Sequence, residues 1–459
     1  MASPEQHKEA GETSGRADGQ SAQPVIVSVP DYPALAPDVE LLGVMQGTGF
    51  KEAQCLVRRG ERFMQLTELL YRVAEQADGK STHEEIAERI TRSTDWLVSS
   101  ENVRQLLASK LLPLGIVALP EDLALRIPAV QERSTSPLRI NARTRLLGPD
   151  AVDPLARALQ FLFAPLVLVP VLLIVAFAHA WLYVVHGLGG AVQSVFYVPG
   201  LVLPLLGVLF VSGVFHEFGH AAALRYGGGR ARGMGFGLYL VYPALYTDTT
   251  DNYRLGRWAR VRTDLGGFYF HLIFALGLMA LYLLTGWEFL LVAVLLINLD
   301  IVYQCLPFVR FDGYWALADA TGIPDFFSQM GAFLRSMSPI ARWRRGNKLP
   351  DLKPWVRVVF AAYVMVTVPV LSLLLYFLVT RLPAIATAAW RSLLGQMAVF
   401  SQALDDGHAA GMALSVAQML ILALQMLGIT YLLYSLGRRL VGALWRRIGA
   451  ARRTEGGGM

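Results

Sequence analysis

Val-Leu-Pro-Leu-Leu-Gly-Val-Leu-Phe-Val-Ser-Gly-Val-Phe-His-Glu-Phe-Gly-His-Ala-Ala-Ala, residues 202–223, is an apolar run with two histidines and a glutamate in its second half. About 20 apolar residues make a helix long enough to cross a bilayer. Ionisable groups inside such a helix are costly unless they face a polar site. Positions i and i+4 share one helical face, so His216 and His220 can direct ring nitrogens at one ion. Glu217 adjoins that face, where it can act as general base toward a water polarised by the ion. Chance supplies this His-Glu-x-x-His spacing in at most about 1% of chains of this composition.

The surrounding sequence agrees with a membrane setting. Of 459 residues, 54% are hydrophobic and 17% charged, with a mean hydropathy of +0.43. Soluble chains carry about 25% charged residues. Residues 1–157 are polar and the rest falls into long apolar runs, which excludes a disordered chain, a disulfide scaffold and a single soluble domain. Six runs, near 158–186, 199–224, 265–285, 289–308, 355–380 and 415–436, predict about six transmembrane helices. The fold class expected is a polytopic α-helical membrane protein with a small N-terminal α/β domain.

Arginines and lysines crowd the connections after the second and fourth runs and the tail after the sixth, and are absent after the first and third. That asymmetry predicts cytoplasmic N- and C-termini in the cell (inner) membrane, with the lipid bilayer as surroundings. The net charge of +6 and pI of 9.3 follow from those loops, so nucleic acid is not an expected partner. Cys55 and Cys305 cannot build a disulfide framework and point to a reducing, cytoplasm-facing chain without a Cys-ligated metal.

Two histidines leave a third ligand to find. Asp312, in Leu-Pro307-Phe-Val-Arg-Phe-Asp312-Gly313 after the fourth run, is expected at the same membrane depth as His220. Gly313 would allow the tight backbone that presents the carboxylate; a plain turn ending the helix is the alternative. HEFGH in one membrane helix with PxxxxDG in a later one resembles the site-2 protease class of intramembrane zinc metallopeptidases. The resemblance implies Zn2+ held by His216, His220 and Asp312, with Glu217 as the catalytic glutamate. It implies cleavage of a peptide or membrane-protein substrate within or beside the bilayer. That family shows NxxPxxxxDG, and here Gln304 stands at the Asn position; as a hydrogen-bonding group it is a candidate substrate-binding residue.

Three further features stand near the motif. Asp248 and Asp251, in Tyr-Thr-Asp-Thr-Thr-Asp, are candidate ligands or substrate contacts, or turn caps. His271, in the third run, is either a site residue or a helix-packing one. Gly233, Gly235 and Gly237 alternate, leaving one strand face bare for close backbone approach. This predicts an edge strand at Gly235 onto which an extended substrate adds, with a flexible loop as the alternative.

In the N-terminal part, strands are expected at Gln54–Arg58 and Arg62–Leu66 around an Arg59-Gly60-Glu61 turn. Helices are expected over Thr67–Gln76, Thr82–Thr94 and Ser100–Leu112, the second capped by Ser81 or Thr82 with Glu84 and Glu85 in its first turn. FMQLTELLYRVAEQADGK, HEEIAERI and NVRQLLASKLLPLGIV together resemble a PqqD-like winged helix, the leader-peptide recognition element of ribosomal-peptide maturation. The expected order is a disordered tail 1–40, winged-helix domain 41–125, linker 126–157, membrane zinc metallopeptidase domain 158–436 and basic tail 437–459. The combination implies a zinc metalloendopeptidase that cuts a membrane-associated or leader-bearing peptide. The alternative is a non-catalytic membrane binding, immunity or export partner that keeps the peptidase fold.

Overall fold

The computed structural model describes residues 29–60, 62–118, 140–197, 201–239, 242–306, 308–323, 325–337 and 352–455. Most of the expected tail, the first part of the expected linker and Pro307 lie outside the described residues. Near the N-terminus, β1 (Val39–Val44), β2 (Gln54–Arg59) and β3 (Arg62–Thr67) form an antiparallel sheet in chain order. β2 and β3 match the expected hairpin, and β1 is an additional strand. α1 (Glu68–Glu75), α2 (His83–Ser93) and α3 (Ser100–Leu106) follow, and α3 continues as a wider turn over Leu107–Leu111.

The described residues divide into two compact units. One holds 29–37 and 72–118; the other holds 38–71 with everything from 140 onward. The division runs inside the segment read as one 41–125 domain. In the first unit, Val73, Ile86, Ile90, Val103, Leu107 and Ile116 are buried. Thr82 caps α2 in a full capping box: its hydroxyl accepts from Glu85 N–H, and Glu85 accepts from Thr82 N–H at 3.0 Å. Before it, the Asp78 carboxylate accepts the backbone N–H groups of Lys80 and Ser81, each at 2.8 Å, and these bonds pull its pKa down to about 2.

The second unit continues with β4 (Ile140–Leu147) and α4 (Pro149–Leu159), both inside the segment read as linker 126–157. The linker expectation is therefore corrected over 140–157. β4 was hidden because its partner lies far downstream, beyond the reach of a local pattern. The first expected span is also shortened. A tight turn over Gln160–Phe163 and an extended Ala164 separate α4 from α5 (Pro165–His186). Then come α6 (Gly189–Tyr197), α7 (Val202–Tyr226), β5 (Met234–Tyr239), β6 (Tyr242–Thr247), α8 (Arg257–Thr285) and α9 (Phe289–Cys305). After these are α10 (Asp312–Thr321), α11 (Phe326–Met337), α12 (Pro354–Asp405) and α13 (Ala409–Glu455).

Among the described residues five helices are long and apolar enough to cross a membrane: α5, α7, α8, α12 and the first part of α13. The fourth expected span, α9, has 17 residues, about 26 Å at 1.5 Å per residue. α12, with 52 residues, runs about twice as far as the expected 355–380 span, and α13 carries the expected basic tail onward as helix to Glu455.

α7 and α8 touch backbone to backbone. A Cβ on Gly219 would collide with the Gly266 carbonyl and lie 2.9 Å from the Phe270 Cβ; one on Gly266 would lie 2.9 Å from the Ala223 Cβ. Small residues at a crossing let helices in lipid pack closely where no hydrophobic force draws them together. Ala221, Ala222 and Ala223, just after the motif, are fully buried.

Gly219→Ala is expected to cost about 1–3 kcal/mol through overpacking, visible as a lowered unfolding midpoint in detergent, whereas Gly277→Ala, which meets nothing within 4 Å, should leave it unchanged. In the first unit, Asp78 has a folded pKa below its unfolded value of about 3.9, so its contribution is full above pH 4 and is lost as pH falls through about 2. Amide protection at Lys80 and Ser81 should fall across that window, and Asp78→Asn should remove the pH step.

Candidate metal centre

His216 and His220 sit one turn apart on α7, and α10 begins with Asp312 beside them. His216 Nε2 and His220 Nε2 lie 2.9 Å and 3.1 Å from Asp312 Oδ2 and 3.1 Å from each other. Their ligand atoms form a group that can hold a metal ion, with both histidines buried. His220 Nδ1 lies 2.8 Å from the Thr263 carbonyl oxygen, which can only accept. Nδ1 therefore carries the proton, and the Nε2 lone pair faces the centre, the usual orientation of a metal-binding imidazole.

His216 is placed by what is missing opposite it. A Cβ on Gly267 would run into its ring, and the His271 ring covers it at a centroid distance of 4.4 Å. Gly313 serves Asp312 in a similar way: a Cβ there would lie 2.6 Å from the Cys305 Cα, so α10 can start hard against the end of α9. Further along α10, Asp319 accepts from Arg260 Nε of α8 at 3.0 Å, tying the helix of Asp312 to α8. Burial raises the Asp319 carboxyl above its ordinary pKa despite that guanidinium.

Glu217 faces a cavity of about 830 Å³ that also exposes the triad. The Thr247 hydroxyl, at the end of β6, lies 2.7 Å from Glu217 Oε2 and 3.0 Å from the Glu217 carbonyl oxygen. Thr247 fixes the glutamate, and the sequence reading passed over it. It stands in the same Tyr-Thr-Asp-Thr-Thr-Asp stretch that drew attention to Asp248 and Asp251. Those two serve the loop: Asp248 accepts from the Thr250 N–H at 3.1 Å and from its hydroxyl, and Asp251 pairs with Arg232 at 3.4 Å. Neither belongs to the metal-holding group.

The expectation of an edge strand at Gly235 is corrected. β5 is the central strand of a sheet ordered β4-β5-β6. A Cβ on Gly235 would collide with the Thr144 carbonyl of β4. The close backbone approach that alternating glycines permit is made by the chain's own strand. Gln304 is also engaged: its Nε2 donates to Asp300 Oδ2 at 2.7 Å. Asp300 in turn lies 3.4 Å from His271 Nε2, and His271 Nδ1 lies 2.8 Å from Ser212 Oγ. His271 thus does both things weighed for it, packing α7 to α8 and bordering the site. Asp300, a carboxylate inside an apolar helix, was the available signal for this network.

No protein-family model, curated protein or solved structure matches the chain.

Gly267→Ala is expected to displace the His216 ring and weaken metal affinity by about 10–100-fold, as loss of an orienting contact does. Competition with a chelating dye checks this, with circular dichroism confirming unchanged helix content.

Proposed function

We propose that this chain is a membrane-embedded zinc endopeptidase that cuts a membrane-associated or leader-bearing peptide. The observation that carries the reading is the convergence of His216, His220 and Asp312 beside Glu217 in a cavity bordered by apolar helices. The donor set fits zinc. Ligand atoms around a tetrahedral zinc with bonds of about 2.0 Å stand roughly 3.3 Å apart, close to the 2.9–3.1 Å separations here. Two imidazoles and one carboxylate leave a fourth position for water or substrate, as in a catalytic site. The five long apolar helices support a membrane setting, and the basic loops support cytoplasmic termini.

His216, His220 and Asp312 would hold the ion, which when bound supplies Lewis-acid polarisation of the scissile carbonyl and of the attacking water. Glu217 takes that water's proton and returns it to the leaving amine. Thr247 restrains the Glu217 carboxylate, so the proton acceptor is preorganised. Thr263 and His271 hold the two imidazoles in orientation. A helical substrate must unwind before its peptide bond can reach these groups, because a helix hides its backbone. β6 lines the cavity from Pro243 to Thr247 and offers extended backbone beside Glu217.

The rival is a non-catalytic binding partner that keeps the fold and the metal-holding group with or without the metal, and Gln304 standing where the resembled family has Asn is the feature that favours it. Metal analysis and turnover separate the two. Purified protein is expected to carry about one zinc per chain, lost in His220→Ala and in Asp312→Ala. Glu217→Gln should keep its zinc and lose cleavage of a leader-bearing reporter peptide in proteoliposomes by at least about a hundredfold. Zinc without cleavage in the wild type supports the binding partner, and no zinc after metal is supplied overturns the peptidase reading and leaves a binding partner.

A further inference from the structure

The cavity has two unlike ends. Ser212 meets His271 and His220 meets Thr263, so α7 and α8 run antiparallel and the cavity can be followed along them. Toward one end its lining is Leu209 and Phe210 of α7, and Phe210 is 62% exposed. Toward the other it is Arg260, Asn252 and Asp319, near the start of α8. There the lining is completed by Met45 and Gln65 of the N-terminal sheet.

That part of the sheet is fastened in place. Arg257, the first residue of α8, donates from Nη2 to the Gly47 carbonyl at 2.8 Å. Gly49 N–H donates to the Gly322 carbonyl at 3.0 Å, just past the end of α10. Lys353 donates from Nζ to the Thr48 carbonyl at 2.9 Å and from its backbone N–H to Gly49 at 2.9 Å. On β3, Phe63 packs against Tyr253 with ring centroids 5.9 Å apart. Between these ties, Gln65 Nε2 donates to Met45 Sδ at 3.0 Å. A thioether is a weak acceptor, so this bond is cheaply exchanged for one to a peptide carbonyl.

We propose that the polar end of the cavity is the way in for water-soluble reactants and that Met45 and Gln65 are its threshold, selecting what reaches the centre. Within the peptidase reading, on which the identity of the reactant rests, the substrate is an extended peptide. Its polar segment passes Gln65, and its apolar segment leaves past Phe210. Met45 and Gln65 are neutral, unbranched and flexible, so they admit an extended backbone and exclude a folded segment.

Leu245→Cys places a thiol in the cavity wall, and Cys305→Ser removes the exposed native thiol. In that full-length background, labelling by a charged, membrane-impermeant methanethiosulfonate reports access from water. Met45→Trp and Gln65→Trp should each slow labelling roughly tenfold, equivalent to about 1.4 kcal/mol on the barrier. Arg257→Gln and Lys353→Met, which loosen the fastening without touching the cavity wall, should speed it. Leu209→Trp, at the apolar end, should leave it unchanged. Labelling unaffected by either tryptophan at the threshold, or slowed only by Leu209→Trp, overturns the proposal. Because the readout needs no metal, absence of zinc would remove the peptidase reading and leave this test intact.

Discussion

The contact of Gly219 with Gly266 is the constraint on which the rest of this structure depends. It draws α7 and α8 together at the level of the motif, so that the carbonyl of Thr263 reaches His220 and the ring of His271 reaches His216. With any side chain at the crossing, the two helices would part and both imidazoles would lose their orienting partners. Gly219 lies between the two histidines, so one short segment supplies the ligands and the closeness that aims them. Asp312 then needs only a fixed distance from α8, which the Arg260–Asp319 pair provides.

Polar groups in apolar helices are expensive, and around the centre several are answered by another. Asp300 is met by Gln304 and His271, and Asp319 by Arg260. Asp325, after α10, accepts from Arg310 at 2.7 Å and from the Tyr314 hydroxyl at 2.8 Å. Burial and that neighbouring carboxylate push the Tyr314 phenol far above its ordinary range, so it remains a donor at any working pH. Breaking one partner of such a buried pair costs more than the pair contributes, because an uncompensated charge is left behind. The network around the centre is therefore intolerant of single changes and geometrically well defined.

Much of the centre was legible because it is local. His216, Glu217 and His220 lie within five residues, and helical periodicity alone places them on adjoining faces. Asp312 was reachable as the acidic residue in the Pro-x-x-x-x-Asp-Gly stretch that ends the fourth apolar run, and the expected depth, from the charge asymmetry, agreed with that choice without selecting it. What escaped depends on partners distant in the chain. Thr247 matters only because β6 passes Glu217, and Gly235 was misread because the strand beside it comes from residues taken as linker. The two helices after Pro354 outran their apolar cores, since hydropathy marks the buried length of a helix and not where its hydrogen bonding stops.

The placement of β4 has a consequence for how the chain is made. Ile-Asn-Ala-Arg-Thr-Arg-Leu-Leu leaves the ribosome ahead of α5 and α7, while its partner β5 follows roughly 90 residues later. At about 5–20 residues per second, that strand waits some 5–20 s for its neighbour. An unpaired strand is an invitation to the wrong partner, and charged side chains along it are the usual deterrent. Arg145 stands within β4, so the strand carries its own protection through the interval before its partner is made.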